Sequence, residues 1–124
     1  MKSIRELNSI KPITIEIYKT LHDLGLPAHI KGYQYISFGL ETLFDKPNMK
    51  RIHIGLLYEE IADEFDTTKS NVERSIRHAI DTSFHRGDIK IIDSLFGHSI
   101  DFDKAKPTNF EYIITIYNKL FLNL

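Results

Sequence analysis

The 124-residue chain has no cysteine, no tryptophan, a single valine (Val72) and no apolar run longer than a few residues. Without thiols, disulfide frameworks, thiolate zinc fingers, iron–sulfur clusters and thiol nucleophiles are excluded. Without a long apolar run, no segment is fit to span a bilayer as a helix. The opening Met1-Lys2-Ser3-Ile4-Arg5-Glu6 lacks the apolar stretch and small-residue cleavage site of a signal peptide, so the chain is expected to be cytoplasmic. Neither sign of charge dominates. The 16 basic and 17 acidic groups give a net charge of −1, so any affinity for nucleic acid must come from a local patch. The chain is 42% hydrophobic, which argues against disorder and allows one domain with a real core.

No internal repeat, low-complexity tract or long linker interrupts the chain, and apolar residues recur mostly at helical spacing. The expected class is all-α, with about six helices and a central helix-turn-helix. Residues 1–11 read as an N-terminal arm and 12–124 as the folded domain. Pro12 suits a first helical turn, Ile17, Leu21 and Leu24 follow, and Gly25 ends the run. A second pattern after Gly32 uses Ile36, Leu40, Leu43 and Phe44 and stops at Asp45-Lys46-Pro47. Leu57, Ile61, Ala62 and Phe65 make a short third helix. A longer fourth one starts around Thr67 to Ser70 and runs to Arg86-Gly87, with Val72, Ile76, Ala79, Ile80 and Phe84 inward. Ile89 to Phe96 is a weak helical piece. A last helix after Pro107 is expected to bury Phe110, Ile113, Ile114, Tyr117 and Leu120. Period-2 alternation is confined to two short stretches, Ile4 to Ile17 and Ile100-Asp101-Phe102.

Charge is distributed unevenly along these elements. Residues 56–66 carry 5 acidic groups and no basic one, whereas residues 67–87 carry 4 basic and 2 acidic groups besides His78 and His85. An acidic short helix therefore precedes a basic longer one across a tight turn. The segment from Ile61 to Ile76 has helix-turn-helix spacing. Ala62 is the small residue that lets a second helix cross the first. Asp66 is a residue type that tolerates the left-handed turn conformation. Val72 and Ile76, at i and i+4, lock the second helix onto the first. Thr67 or Thr68 supplies its cap, or Ser70 and Glu73 form a capping box if it starts later.

At about 100° per residue, Ser70, Asn71, Arg74, Arg77, His78, Asp81 and His85 share the face opposite the apolar side chains. In a DNA-binding helix-turn-helix the N-terminal part of the second helix enters the major groove. Asn71 and Arg74 would lie deepest there, Arg77 and His78 one turn on, and Glu73 on the flank. Arginine pairs with guanine, asparagine with adenine, and a carboxylate accepts from cytosine N4. The reading assigns base choice to Asn71, Glu73, Arg74 and Arg77, and phosphate contact to Thr68, Lys69, Ser70 and His78. An amphipathic helix with a solvated basic face fits the same spacing.

Around these residues the chain resembles the C-terminal DNA-binding effector domain of stage zero sporulation protein A, the master regulator of endospore formation. The shared strings are Gly25-Leu26-Pro27-Ala28-His29-Ile30-Lys31-Gly32-Tyr33, Ile61-Ala62-x-x-Phe65-x-Thr67-Thr68 and Val72-Glu73-Arg74-x-Ile76-Arg77-His78-Ala79-Ile80. They continue with Arg86-Gly87, Ser94-Leu95-Phe96-Gly97 and Lys104-Ala105-Lys106-Pro107-Thr108-Asn109, over roughly residues 12–122. The resemblance implies a helical domain that binds double-stranded promoter DNA as a tandem pair on repeated short sites. It implies base and backbone contacts at Glu73 and Arg74, with Arg77 and His78 on the next turn of the recognition helix. It also implies phosphate contact at Lys104 and Lys106, and a polymerase sigma-subunit contact in the region of Ser94, Leu95, Phe96 and Gly97.

Three departures accompany it. Asn71 stands where the family has a guanine-reading arginine, which should remove about 1–3 kcal/mol of discrimination at that base pair and alter the preferred sequence, with Asn71 either preferring adenine or reaching no base. Phe84 replaces a tryptophan. The 124 residues leave no room for the family's phosphorylated receiver domain: if the chain stands alone, as Met1 and the atypical first eleven residues favour, control is expected from abundance, self-association or a partner, and the alternative is a piece cut from a longer protein.

No catalytic or cofactor motif is present: HExxH, EF-hand, P-loop and GxGxxG patterns are all missing. His78 and His85 share a face but lie about 10 Å apart along a helix axis, too far for one ion. Glu59, Glu60, Asp63 and Glu64 read as a solvated helix face, and Ser83 and Ser94 lack a nucleophile's setting. Tyr33, Tyr35, Phe38, Phe44, Tyr112, Tyr117 and Phe121 read as packing residues, while His29 and Lys31 precede a helix N-terminus where phosphate could sit. The expected function is a DNA-binding transcription regulator with no enzymatic activity, no cofactor and no metal. The competing reading is an interaction module that modulates a full-length regulator or a sigma subunit.

Overall fold

A computed structural model describes residues 11–46, 53–97 and 106–122. The described residues form six helices: α1 (Pro12–Asp23), α2 (Lys31–Phe44), α3 (Ile54–Glu64), α4 (Lys69–Arg86), α5 (Ile89–Phe96) and α6 (Asn109–Leu122). No strand occurs among the described residues. The all-α class follows from the 3.6-residue spacing of the apolar side chains. Residues 1–10 of the expected arm, the Ile100 to Phe102 alternation and Lys104 lie outside the described residues, while Lys11 is the N-cap of α1.

Helix α4 is the axis of the fold, packed against α2, α3 and α6. Its inward face is Val72, Ile76, Ala79 and Ile80, all with no solvent exposure. Burying each of the larger three removes enough apolar surface to stabilise the fold by about 1.5–3 kcal/mol. Ile17, Leu21, Ile36, Leu40, Ile61, Phe96, Tyr112 and Ile116 complete the core. Phe84 lies at its edge, half-buried, with its ring centroid 5.7 Å from that of Phe96. Phe96 in turn stacks on Tyr112 at 5.0 Å.

Two findings change the expected pattern. Helix α2 begins at Lys31, so Gly32 lies within its first turn instead of preceding it. A Cβ at Gly32 would run into the Ser75 carbonyl oxygen and the Ala79 side chain, so the glycine sets how closely α2 approaches α4. Helix α6 is rotated from the face expected of it. Tyr112, Ile113, Ile116 and Leu120 are buried, Ile114 and Tyr117 only partly, and Phe110 is 39% exposed. Apolar residues occur all round this helix, so its sequence period does not fix its phase.

Candidate nucleic-acid interface

The α3–α4 pair forms the expected helix-turn-helix. Ile61 and Ala62 are buried on α3, and the chain reverses through Phe65 to Thr68. Asp66 takes φ 51, the left-handed conformation that a tight turn needs and that aspartate tolerates. The reversal is fastened by the Thr67 N–H, which donates to the Ala62 carbonyl oxygen at 2.9 Å. Thr68 is the N-cap of α4: its Oγ1 accepts from the Asn71 N–H at 3.1 Å, satisfying an amide that has no partner within the helix. The cap fixes the start of α4 at Lys69 and leaves no place for the alternative box at Ser70 and Glu73.

With the helix start and its buried face both fixed, the outward row follows. Thr68, Lys69, Ser70, Asn71, Glu73, Arg74 and His78 are all exposed. Arg74 donates from Nη2 to Asn71 Oδ1 at 2.5 Å, and Asn71 donates from Nδ2 to Thr67 Oγ1 at 3.2 Å. Lys69 Nζ sits 3.5 Å from Glu59 Oε1 on α3, and Lys46 pairs with Glu60. Part of the acidic character of α3 is therefore met by neighbouring lysines.

Arg77 is placed differently from the other expected base readers. It is half-buried, donates from Nη1 to the Pro107 carbonyl oxygen at 2.9 Å, and has Nη2 3.5 Å from Asp81. Lys106 Nζ lies 3.3 Å from the same Asp81 carboxylate. One carboxylate on α4 therefore holds two cations, one of them on the segment entering α6. That segment is fixed again by buried Asn109, whose Nδ2 donates at 3.1 Å to both the Tyr58 hydroxyl and the Glu73 carbonyl oxygen. Asp81, Asn109 and Tyr58 were not among the expected site residues. Asn109 carried a signal in lying within a family-like string, but a polar residue's long-range partners leave no mark in local spacing.

In the stretch expected to meet a sigma subunit, Ser94 and Gly97 are exposed and Leu95 is partly buried. Phe96 has no exposed surface, so its ring holds α5 to the core and is not available to a partner. Of the aromatics expected to pack, Tyr35 and Tyr112 are buried, Tyr33, Phe38, Phe44 and Tyr117 are partly buried, and Phe121 is 58% exposed. Burial raises the Tyr58 and Tyr112 phenols above their ordinary range and keeps both protonated as hydrogen-bonding groups.

No group of three or more histidine, aspartate or glutamate side chains among the described residues is arranged to hold a metal ion. None of their helices is long and apolar enough to cross a membrane. A family model described as the sporulation initiation factor Spo0A C terminal matches residues 17–120.

Proposed function

The chain belongs to the family of the C-terminal domain of sporulation initiation factor Spo0A, DNA-binding effector domains of transcription regulation, and on that premise we propose that it reads double-stranded DNA sequence through α4. The observation that supports this reading is the exposed polar row from Thr68 to Arg74. It occupies the first two turns of a helix whose other face is locked into the core. That is the end of a recognition helix that enters the major groove.

In this reading Arg74 takes a guanine edge and Glu73 a cytosine amino group, while Lys69, Ser70 and His78 meet phosphates. The Thr68 cap leaves the positive end of the α4 dipole facing the backbone. Lys106, together with Lys104, contributes from the segment before α6. Phosphate contacts carry most of the affinity, so binding weakens steeply between about 50 and 200 mM salt.

The test is selection of bound duplexes from a random pool by the purified chain at near-physiological salt. An enriched short motif whose preference at one base pair is lost in Arg74→Ala is the expected result. A folded sample that enriches nothing overturns the proposal and leaves the interaction module as the better reading.

A further inference from the structure

We infer that Asn71 reads no base itself and instead selects the base pair that Arg74 reads, by holding the arginine's guanidinium. This rests on the DNA-reading role proposed above for α4. Asn71 and Arg74 are three residues apart, so their side chains lie together on one face of the helix. The amide group of Asn71 is engaged on both of its atoms. Nδ2 donates to Thr67 Oγ1 at 3.2 Å, and Oδ1 accepts from Arg74 Nη2 at 2.5 Å.

The orientation of the amide follows from chemistry. A guanidinium has donors only, so it must face the carbonyl oxygen, and the amino group then faces the threonine hydroxyl, which accepts. Pairing with adenine needs that same edge, Oδ1 for the N6 amino group and Nδ2 for N7. Both atoms are already engaged by neighbouring side chains of the protein. Their anchor is firm, because the Asn71 backbone N–H is itself tied to Thr68 Oγ1, the cap that sets where α4 starts.

The consequence falls on Arg74. A guanidinium has five N–H donors in a rigid plane, and one of them is spent on Asn71. The remaining donors still include a parallel pair of the kind that grips guanine O6 and N7. Asn71 therefore fixes the plane of the fork before DNA arrives, and with it the base pair the fork reaches. It is a positioning residue, and Thr67 at the end of the turn is its anchor.

Duplex selection with four proteins tests this: wild type, Arg74→Ala, Asn71→Ala, and the double variant carrying both substitutions. Asn71→Ala should flatten preference at the one base pair that Arg74→Ala flattens, and at no other. The loss there should be about 5-fold or more, within the range of a single bidentate contact. The double variant should then match Arg74→Ala alone. A fifth protein, Asn71→Asp, retains an oxygen acceptor toward Arg74 and should keep the preference at that pair while lowering overall affinity through its negative charge. Flattening at a different base pair in Asn71→Ala, or an unchanged Arg74 pair, overturns the inference with the DNA-reading role intact. Failure of the wild type to enrich any motif is a separate result, which removes the DNA-reading role and this inference with it.

Discussion

The Arg77 guanidinium donates to the Pro107 carbonyl oxygen at 2.9 Å, joining the outer part of α4 to a segment 30 residues further along the chain. Because Asp81 also faces Lys106, the contact is a small clamp that holds the approach to α6 against α4. Arg77→Ala should cost about 1 kcal/mol of folding stability, less than a hydrogen bond to a charged group usually contributes, because the site is partly solvated. It should weaken binding to a selected site and to a scrambled duplex by the same factor, since what loosens is the lysine-bearing segment. Titration of both duplexes checks this. Loss of preference at one base pair would mean instead that Arg77 leaves Pro107 for a base edge on binding.

The α2–α4 approach is set at Gly32, where any Cβ meets the Ser75 backbone. Gly32→Ala should destabilise the fold by about 1–3 kcal/mol, because backbone cannot move aside as a flexible side chain would. Gly55→Ala is the matched comparison. Nothing lies within 4 Å of a Cβ there, so the better helix former should leave stability unchanged or raise it by about 0.5 kcal/mol. Urea denaturation of the two variants measures the contrast, and equal effects at both sites would contradict the close approach.

Tyr112 donates to Ser83 Oγ at 2.9 Å, and Ser83 donates to the Leu24 carbonyl oxygen at 2.7 Å. Burial raises the folded phenol above its ordinary value of 10.0, so the unfolded chain releases this proton first. Above about pH 10 the unfolded state therefore binds fewer protons. The stability that Tyr112 contributes is complete below that pH and is lost as pH rises through the folded value, at up to about 1.4 kcal/mol per pH unit. Tyr112→Phe should be less stable at neutral pH by about 1 kcal/mol and should lose less stability between pH 9 and 11. Parallel slopes for the two proteins in denaturation across that range would rule out the linkage.

The local grammar of the chain was legible from its residues. Pro12 opens α1, Gly25 (φ 80) ends it, Asp66 turns between α3 and α4, Thr68 caps α4, and Ile89–Phe96 is helical as its spacing predicts. Each of these depends on neighbours within a few residues, through backbone sterics, caps and the 3.6-residue period. The core face and the outward row of α4 were legible for the same reason, since a helix that must bury Val72 and Ile76 necessarily exposes Asn71 and Arg74.

Tertiary structure alone decided which of those outward residues are already engaged. A helical wheel places Arg77 and Asp81 beside Arg74, but it carries no trace of Pro107 and Lys106, which reach them across about 30 and 25 residues of chain. It likewise gives no account of Gly32 against Ser75, or of which apolar face α6 buries among residues that are apolar nearly all round. Local sequence sets dihedral angles and periodicity. Long-range contacts depend on where separate helices come to rest against one another.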